Sequence, residues 1–157
     1  MSGAYVLNFF GAIENGNLSV VQSQLLSGNA NANMNYLGVY PLTLAIEQGN
    51  VDMCALLLTA GADPKKKANT AKHNAETLVQ AMRDDPKHKF RIEANMISQL
   101  MSDKEALKAR FDEVQLKISK ENNRDLKRAV ALFALFLGIF VPYLTYEFKL
   151  WSFDGLL

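Results

Sequence analysis

The chain has 157 residues and a formal net charge of +1, so it is too short for several large domains and shows no general basic character for binding nucleic acid. Cys54 is its one cysteine, which excludes an internal disulfide and predicts a buried, unreactive thiol on an apolar helix face. The N-terminal residues lack a basic segment and therefore predict neither a secretory signal nor an arginine-rich presequence.

The first hundred residues contain a repeat. A helix is predicted to begin near Ala4, and matching positions recur later in the chain at a spacing of about 33 residues. The pairs are Ala12 with Ala45, Gly16 with Gly49, Asn17 with Asn50, and, one residue closer, Leu25 with Leu57, Leu26 with Leu58, Ala30 with Ala62 and Asn31 with Asp63. Residues 4–31 and 38–63 are therefore predicted to form the same supersecondary unit twice.

The second copy shows how the unit is built. Pro41 suits the first turn of a short helix, where its missing N–H costs nothing, and Gly49 suits the left-handed residue that ends it. A second helix is predicted from about Val51 to Ala60, and Gly61 ends it in the same way. The unit is thus a pair of short helices bounded by glycines.

This pattern resembles an ankyrin repeat. The residues that match the family are Gly38, Pro41, Leu42, Ala45, Gly49, Leu57, Leu58, Gly61, Ala62 and Asp63. The resemblance implies a stack of helix pairs that docks on other proteins through projecting fingers and a concave face. Tyr40 and Thr43 replace the threonine and histidine usual in the family, so we expect a looser finger before this repeat.

Residues 68–101 are predicted to form a degenerate third repeat. Helices are expected over Ala75 to Arg83 and over a periodic apolar stretch that ends at Met101, with Pro86 suited to begin the second of them. The lysine run before this repeat is the expected site of about three extra residues. The predicted ankyrin stack therefore covers residues 4–101.

Two loops supply the partner-binding candidates. The finger, residues 31–40, is rich in asparagine and offers Asn35, Tyr36 and Tyr40, although Tyr40 could equally pack at its base. The second loop offers Lys65, Lys66 and Lys67, which either contact an acidic partner or form a solvated loop. Glu14 and Glu47 are expected to be solvated.

Residues 102–128 are predicted to form an amphipathic linker or capping helix. An apolar stripe at helical spacing consists of Leu107, Phe111, Val114 and Ile118. Two interpretations are open: the stripe packs on the last repeat, or it meets a partner helix.

Residues 129–146 are predicted to form a transmembrane helix, because their 18 residues include no charge and would span roughly 27 Å as a helix. A buried central helix in a soluble fold is the alternative. Residues expected at the membrane interface lie at and near the two ends of the span, namely Arg124, Lys127, Arg128, Tyr143, Tyr146 and Trp151. The excess of basic residues on the N-terminal side predicts a cytosolic or matrix-facing stack, and residues 147–157 form a short tail.

No catalytic motif was found. His73 and His88 lack the spacing of a metal site, and phosphate-binding loops, nucleophile elbows and paired carboxylates are missing from the sequence. The sequence therefore predicts a protein that is not an enzyme, with no cofactor, no metal, no small-molecule substrate and no nucleic-acid partner.

Together these features predict an all-α chain: an ankyrin solenoid of about three helix pairs, a long helix and one C-terminal transmembrane helix. The expected function is that of an accessory or scaffold subunit of a membrane protein complex, with protein subunits and the lipid bilayer as partners. The mitochondrial inner membrane, in a respiratory or ATP synthase assembly, is the favoured location. The alternative is a tail-anchored adaptor that recruits a soluble client to the endoplasmic reticulum or the outer mitochondrial membrane.

Overall fold

A computed structural model describes the backbone of residues 3–67 and 73–153 and the side chains of residues 5–67 and 73–136. In these residues the chain forms seven helices: α1 Gly3–Glu14, α2 Leu18–Leu26, α3 Pro41–Glu47, α4 Val51–Thr59, α5 Ala75–Asp84, α6 Arg91–Ser102 and α7 Lys104–Phe153. The prediction of an all-helical chain is confirmed for this part of the sequence.

The first six helices form three consecutive pairs arranged in two layers. Within each pair α1 packs on α2, α3 on α4 and α5 on α6. Between pairs α1, α3 and α5 contact one another in sequence, and α2, α4 and α6 do the same. Each pair therefore buries its apolar side chains on its neighbours, as expected of a helical repeat stack.

One apolar core runs through all three pairs. Its fully buried members come from both layers of helices and include Phe9, Ile13, Val21, Leu42, Ile46, Met53, Leu57 and Ile97. Cys54 is also fully buried, and burial raises the pKa of its thiol well above the ordinary value. The thiol is thus held neutral inside the stack.

The second helix of each of the first two pairs begins with the same side-chain cap. Asn17 Oδ1 accepts a hydrogen bond from the Val20 amide at 3.2 Å, and Asn50 Oδ1 accepts one from the Met53 amide at 3.0 Å. Asparagine satisfies an amide that would otherwise lack a partner at a helix start. The 33-residue spacing of these two asparagines is therefore the spacing of two equivalent helix caps.

The turn before α6 differs from the expectation that Pro86 begins a helix, which was wrong. The His88 amide instead bonds to the Asp85 carbonyl, and α6 starts only at Arg91. Phe90 lies against Gly49, where a β-carbon would come within 2.5 Å of the Phe90 ring. The ring fixes the turn on the neighbouring repeat, which delays the start of the helix.

The chain separates into two compact units, residues 1–118 and residues 119–157. The first unit contains the six short helices and residues 104–118 of α7. In this segment Val114 and Ile118 are buried, and Leu107 and Phe111 pack against the core. In the second unit α7 continues as helix to Phe153.

Candidate protein-docking surface

The finger ends in a tight hairpin turn. Tyr36 and Val39 exchange two backbone hydrogen bonds of 3.0 and 2.9 Å, which leaves Leu37 and Gly38 as the two turn residues. Leu37 has φ of +51° and Gly38 has φ of +84°, so both adopt the left-handed region that such turns require. Asn35 Oδ1 accepts a hydrogen bond from the Gly38 amide at 3.1 Å and supports the turn.

Among the side chains of the stack that the structure describes, Leu37 is the most exposed large apolar one, with 84% of its surface accessible. Leucine is unfavourable at positive φ, where glycine or asparagine is preferred. An apolar residue at the tip of a turn that disfavours it is a reason to suspect function. Sequence analysis missed Leu37, although its place immediately before Gly38 in a turn-rich segment could have indicated it.

The three finger residues predicted to bind a partner occupy different environments. Asn35 is exposed, whereas Tyr36 is half-buried with its ring centroid 5.4 Å from that of Phe10. Tyr40 is also half-buried and precedes α3, where its amide donates to Thr43 Oγ1 at 3.2 Å. The two tyrosines thus lie lower on the finger than its tip.

The finger is held to the following repeat by one amide side chain. Asn33 Nδ2 donates to the Gly61 carbonyl at 2.7 Å, and Asn33 Oδ1 accepts from the Asp63 amide at 2.8 Å. Both polar ends of this side chain are therefore satisfied by the backbone of the next loop. This pair of bonds opposes the looseness that Tyr40 and Thr43 led us to expect.

The lysine run lies in the loop after α4. Lys65, Lys66 and Lys67 are all exposed, and the Lys65 amide donates to Asp63 Oδ1 at 2.9 Å. The structure does not describe residues 68–72, so this loop is followed only as far as Lys67. This loop follows the second helix pair, whereas the finger precedes it.

The layer formed by α2, α4 and α6, which we call the outer side of the stack, is contacted by the first part of α7. Asp52 on α4 forms salt bridges with two cations of α7, Arg110 at 2.6 Å and Lys117. Gln22 on α2 donates to Gln115 at 2.7 Å. Residues 104–118, which we call the strap, therefore connect to the first and second repeats, while the chain joins them directly to the third.

An apolar cavity of about 220 Å³ remains beside the strap. It lies between the C-terminal ends of α2 and α4 and is lined by Leu25, Leu26, Leu56 and Phe111, with Gln22, Thr59 and Ala60. Because the strap contacts this outer side, we take the finger tip, where Leu37 is 84% exposed, as the candidate docking surface.

The residues predicted at the membrane interface are only partly described. Arg124, Lys127 and Arg128 are exposed on α7. The other three, Tyr143, Tyr146 and Trp151, lie outside the residues whose side chains the structure describes, as do residues 137–146 of the predicted span. Within the described residues, no helix combines the length and the apolar character needed to cross a bilayer.

Within the described residues, no group of three or more His, Cys, Asp or Glu side chains is placed to hold a metal ion. His88 Nδ1 accepts a hydrogen bond from the Phe90 amide at 3.2 Å, which gives this histidine a structural role in the turn before α6.

The two-layered stack of short helix pairs with a hairpin finger is the architecture of a helical repeat protein. Residues 9–85 match the family model described as ankyrin repeats (3 copies). Ankyrin repeats are therefore found in residues 9–85, as the resemblance implied, and such repeats suggest a role in protein–protein interaction. Comparison with curated proteins gives no match, and comparison with solved structures gives none either.

Proposed function

We propose that this protein is a non-catalytic docking subunit of a membrane protein complex, in which the ankyrin stack binds a neighbouring protein through the finger tip and α7 attaches the stack to the bilayer. The observation that supports the docking part is Leu37, an exposed apolar residue in a left-handed turn at the end of the finger. A partner that buries this side chain would remove its apolar surface from water, which stabilises the complex through the hydrophobic effect.

The second unit supports membrane attachment. Val130, Leu132, Phe133 and Leu135 are each at least 60% exposed. Successive helical residues are rotated by about 100°, so these four point in different directions around α7. A helix that is apolar on all sides is unfavourable in water and favourable in a bilayer or inside a protein. We extend this attachment to residues 129–146 because their sequence continues without a charge.

Replacement of Leu37 by asparagine tests the docking part. Asparagine tolerates positive φ and so preserves the turn, while it removes the apolar contact. We expect Leu37→Asn to leave the thermal stability unchanged or slightly higher. The same variant should lose a stoichiometric protein that copurifies with the full chain after gentle detergent extraction, as judged by quantitative mass spectrometry.

Ile92→Asn is the matched control, since Ile92 is a 74% exposed apolar residue on α6 rather than on the finger. The control should retain the same partner. Equal recovery of that partner with wild type and Leu37→Asn would refute docking through the finger tip. A free monomer with only transient clients would favour the alternative of a tail-anchored adaptor.

Replacement of Leu135 by arginine tests the attachment. An arginine near the middle of a span costs about 2.5–3.5 kcal/mol, so Leu135→Arg should release the protein from membranes into an alkaline carbonate wash. Leu126→Arg is the control, because Leu126 is equally exposed at 63% but precedes the predicted span. Retention of both variants in the washed membrane would count against a span at 129–146.

The location within the cell is the remaining part of the proposal. We favour the mitochondrial inner membrane, with the stack on the matrix side, over the endoplasmic reticulum or outer mitochondrial membrane. Protection of the stack from protease in intact mitochondria, and its digestion after the inner membrane is opened, would support this assignment. Digestion in intact organelles would support the adaptor.

A further inference from the structure

We propose that one face of α7 binds the headgroups of anionic phospholipids. This basic face consists of Lys120, Arg124, Lys127 and Arg128 and immediately precedes the apolar segment of the helix. The inference rests on the membrane attachment proposed above and adds to it a lipid class and a binding surface.

The four cations lie on one side of the helix. Their spacing is i, i+4, i+7 and i+8, and at about 100° per residue this confines them to an arc of roughly 100°. All four side chains are exposed. Glu121 and Asp125 lie at and beyond one edge of this arc, so the face itself carries a local excess of positive charge.

Two groups of α7 cations differ in their salt bridges. Arg110 and Lys117 are paired with Asp52 on the stack. In the region whose side chains are described, Lys120, Arg124 and Lys127 take part in no salt bridge, and Arg128 contacts Asp125 only at 3.6 Å with both groups 67% exposed. Because exposed pairs of this kind contribute little, the charge of the basic face remains available for a ligand.

The residues that follow favour a lipid over an acidic protein. Ala131 and Leu135 continue the same side of the helix by the same rotation of about 100° per residue. A headgroup phosphate paired with the cations would therefore have its acyl chain directed along small and apolar side chains. An acidic protein surface would supply the charge but would leave this adjoining apolar strip uncovered. Cations at such positions strengthen attraction to anionic membranes.

The test compares binding of the purified full chain to two kinds of vesicle, phosphatidylcholine alone and a phosphatidylcholine–phosphatidylserine mixture. The basic-face variant combines Lys120→Gln, Arg124→Gln, Lys127→Gln and Arg128→Gln. A control with the same net charge combines Lys65→Gln, Lys66→Gln, Lys104→Gln and Lys108→Gln, all of them exposed residues of the first unit.

We expect wild type and control to bind the mixed vesicles at least about tenfold more tightly than the neutral ones, and the basic-face variant to lose this preference while still binding neutral vesicles. Equal binding of wild type to both vesicles would overturn the inference, as would an equal loss in the control. Failure of the proposed membrane attachment would give a different result. Wild type would then bind the mixed vesicles but not the neutral ones, and this outcome would still support lipid binding by the basic face.

Discussion

Gly49 is the position where one methyl group should cost the stack most. Its φ is +64°, and a β-carbon would lie 2.5 Å from Phe90 Cδ1 and 2.7 Å from Phe90 Cγ. Alanine at a left-handed position costs about 1 kcal/mol. Displacing a packed ring adds about 1–3 kcal/mol. Gly49→Ala should therefore lower the free energy of unfolding by about 2–4 kcal/mol, or the midpoint temperature by about 8–16 °C.

The control for this prediction is Gly28→Ala. Gly28 has φ of +72°, but a β-carbon there meets no atom within 4 Å, so only the conformational cost of about 1 kcal/mol applies. The gain from a less flexible unfolded chain is the same in both variants and cancels in the comparison. Thermal unfolding followed by circular dichroism measures both.

A double-mutant cycle separates the ring contact from other effects. If the Phe90 ring causes the excess cost, Gly49→Ala should cost about 1 kcal/mol in a Phe90→Ala background, because the added methyl group then enters vacated space. Equal destabilisation by Gly49→Ala and Gly28→Ala, or strict additivity in the cycle, would refute this explanation of the turn before α6.

Three further predictions concern the second repeat. Asn50→Ala should lower the free energy of unfolding, measured by chemical denaturation, by about 1 kcal/mol, because it removes the helix cap of α4. No change would show that water replaces the capping hydrogen bond. Asp52→Asn should cost about 1–2 kcal/mol, because it removes the carboxylate that pairs with both Arg110 and Lys117. The loss should shrink in Arg110→Met, and the same loss in that background would contradict strap pairing. The Cys54 thiol should react with a disulfide reagent only as fast as the stack unfolds. Since burial raises the thiol pKa, stability should also fall as pH rises above about 8.5, an effect absent in Cys54→Ala.

The repeat architecture was predictable because it depends on local chemistry at fixed spacing. Pro41 begins α3, and asparagines cap α2 and α4 at the 33-residue interval. These features depend on residues that are close together in the sequence. They can therefore be predicted from one sequence without an alignment. The turn at Pro86 was misjudged because Phe90 packs on Gly49, a contact between repeats that local propensity does not encode.

Less of the docking surface could be predicted from the sequence. Tyr36 was a candidate for exposure on composition alone, yet its ring packs on Phe10, which lies 26 positions earlier. Leu37 looked unremarkable until the paired bonds of its neighbours fixed it in the turn. The apolar stripe of α7 left two interpretations open, and the structure contains an intramolecular one, since the strap pairs with Asp52.

The position of the strap late in the sequence also affects how the chain folds during synthesis. The first 64 residues contain no lysine or arginine, so every cation that pairs with Asp52 must come from later in the chain. A nascent chain that has released only the helix pairs thus exposes the outer side of α2 and α4, with an unpaired carboxylate beside apolar surface. Such surfaces attract chaperones and promote aggregation. The strap can therefore cover this surface only after the residues up to Ile118 have left the ribosome.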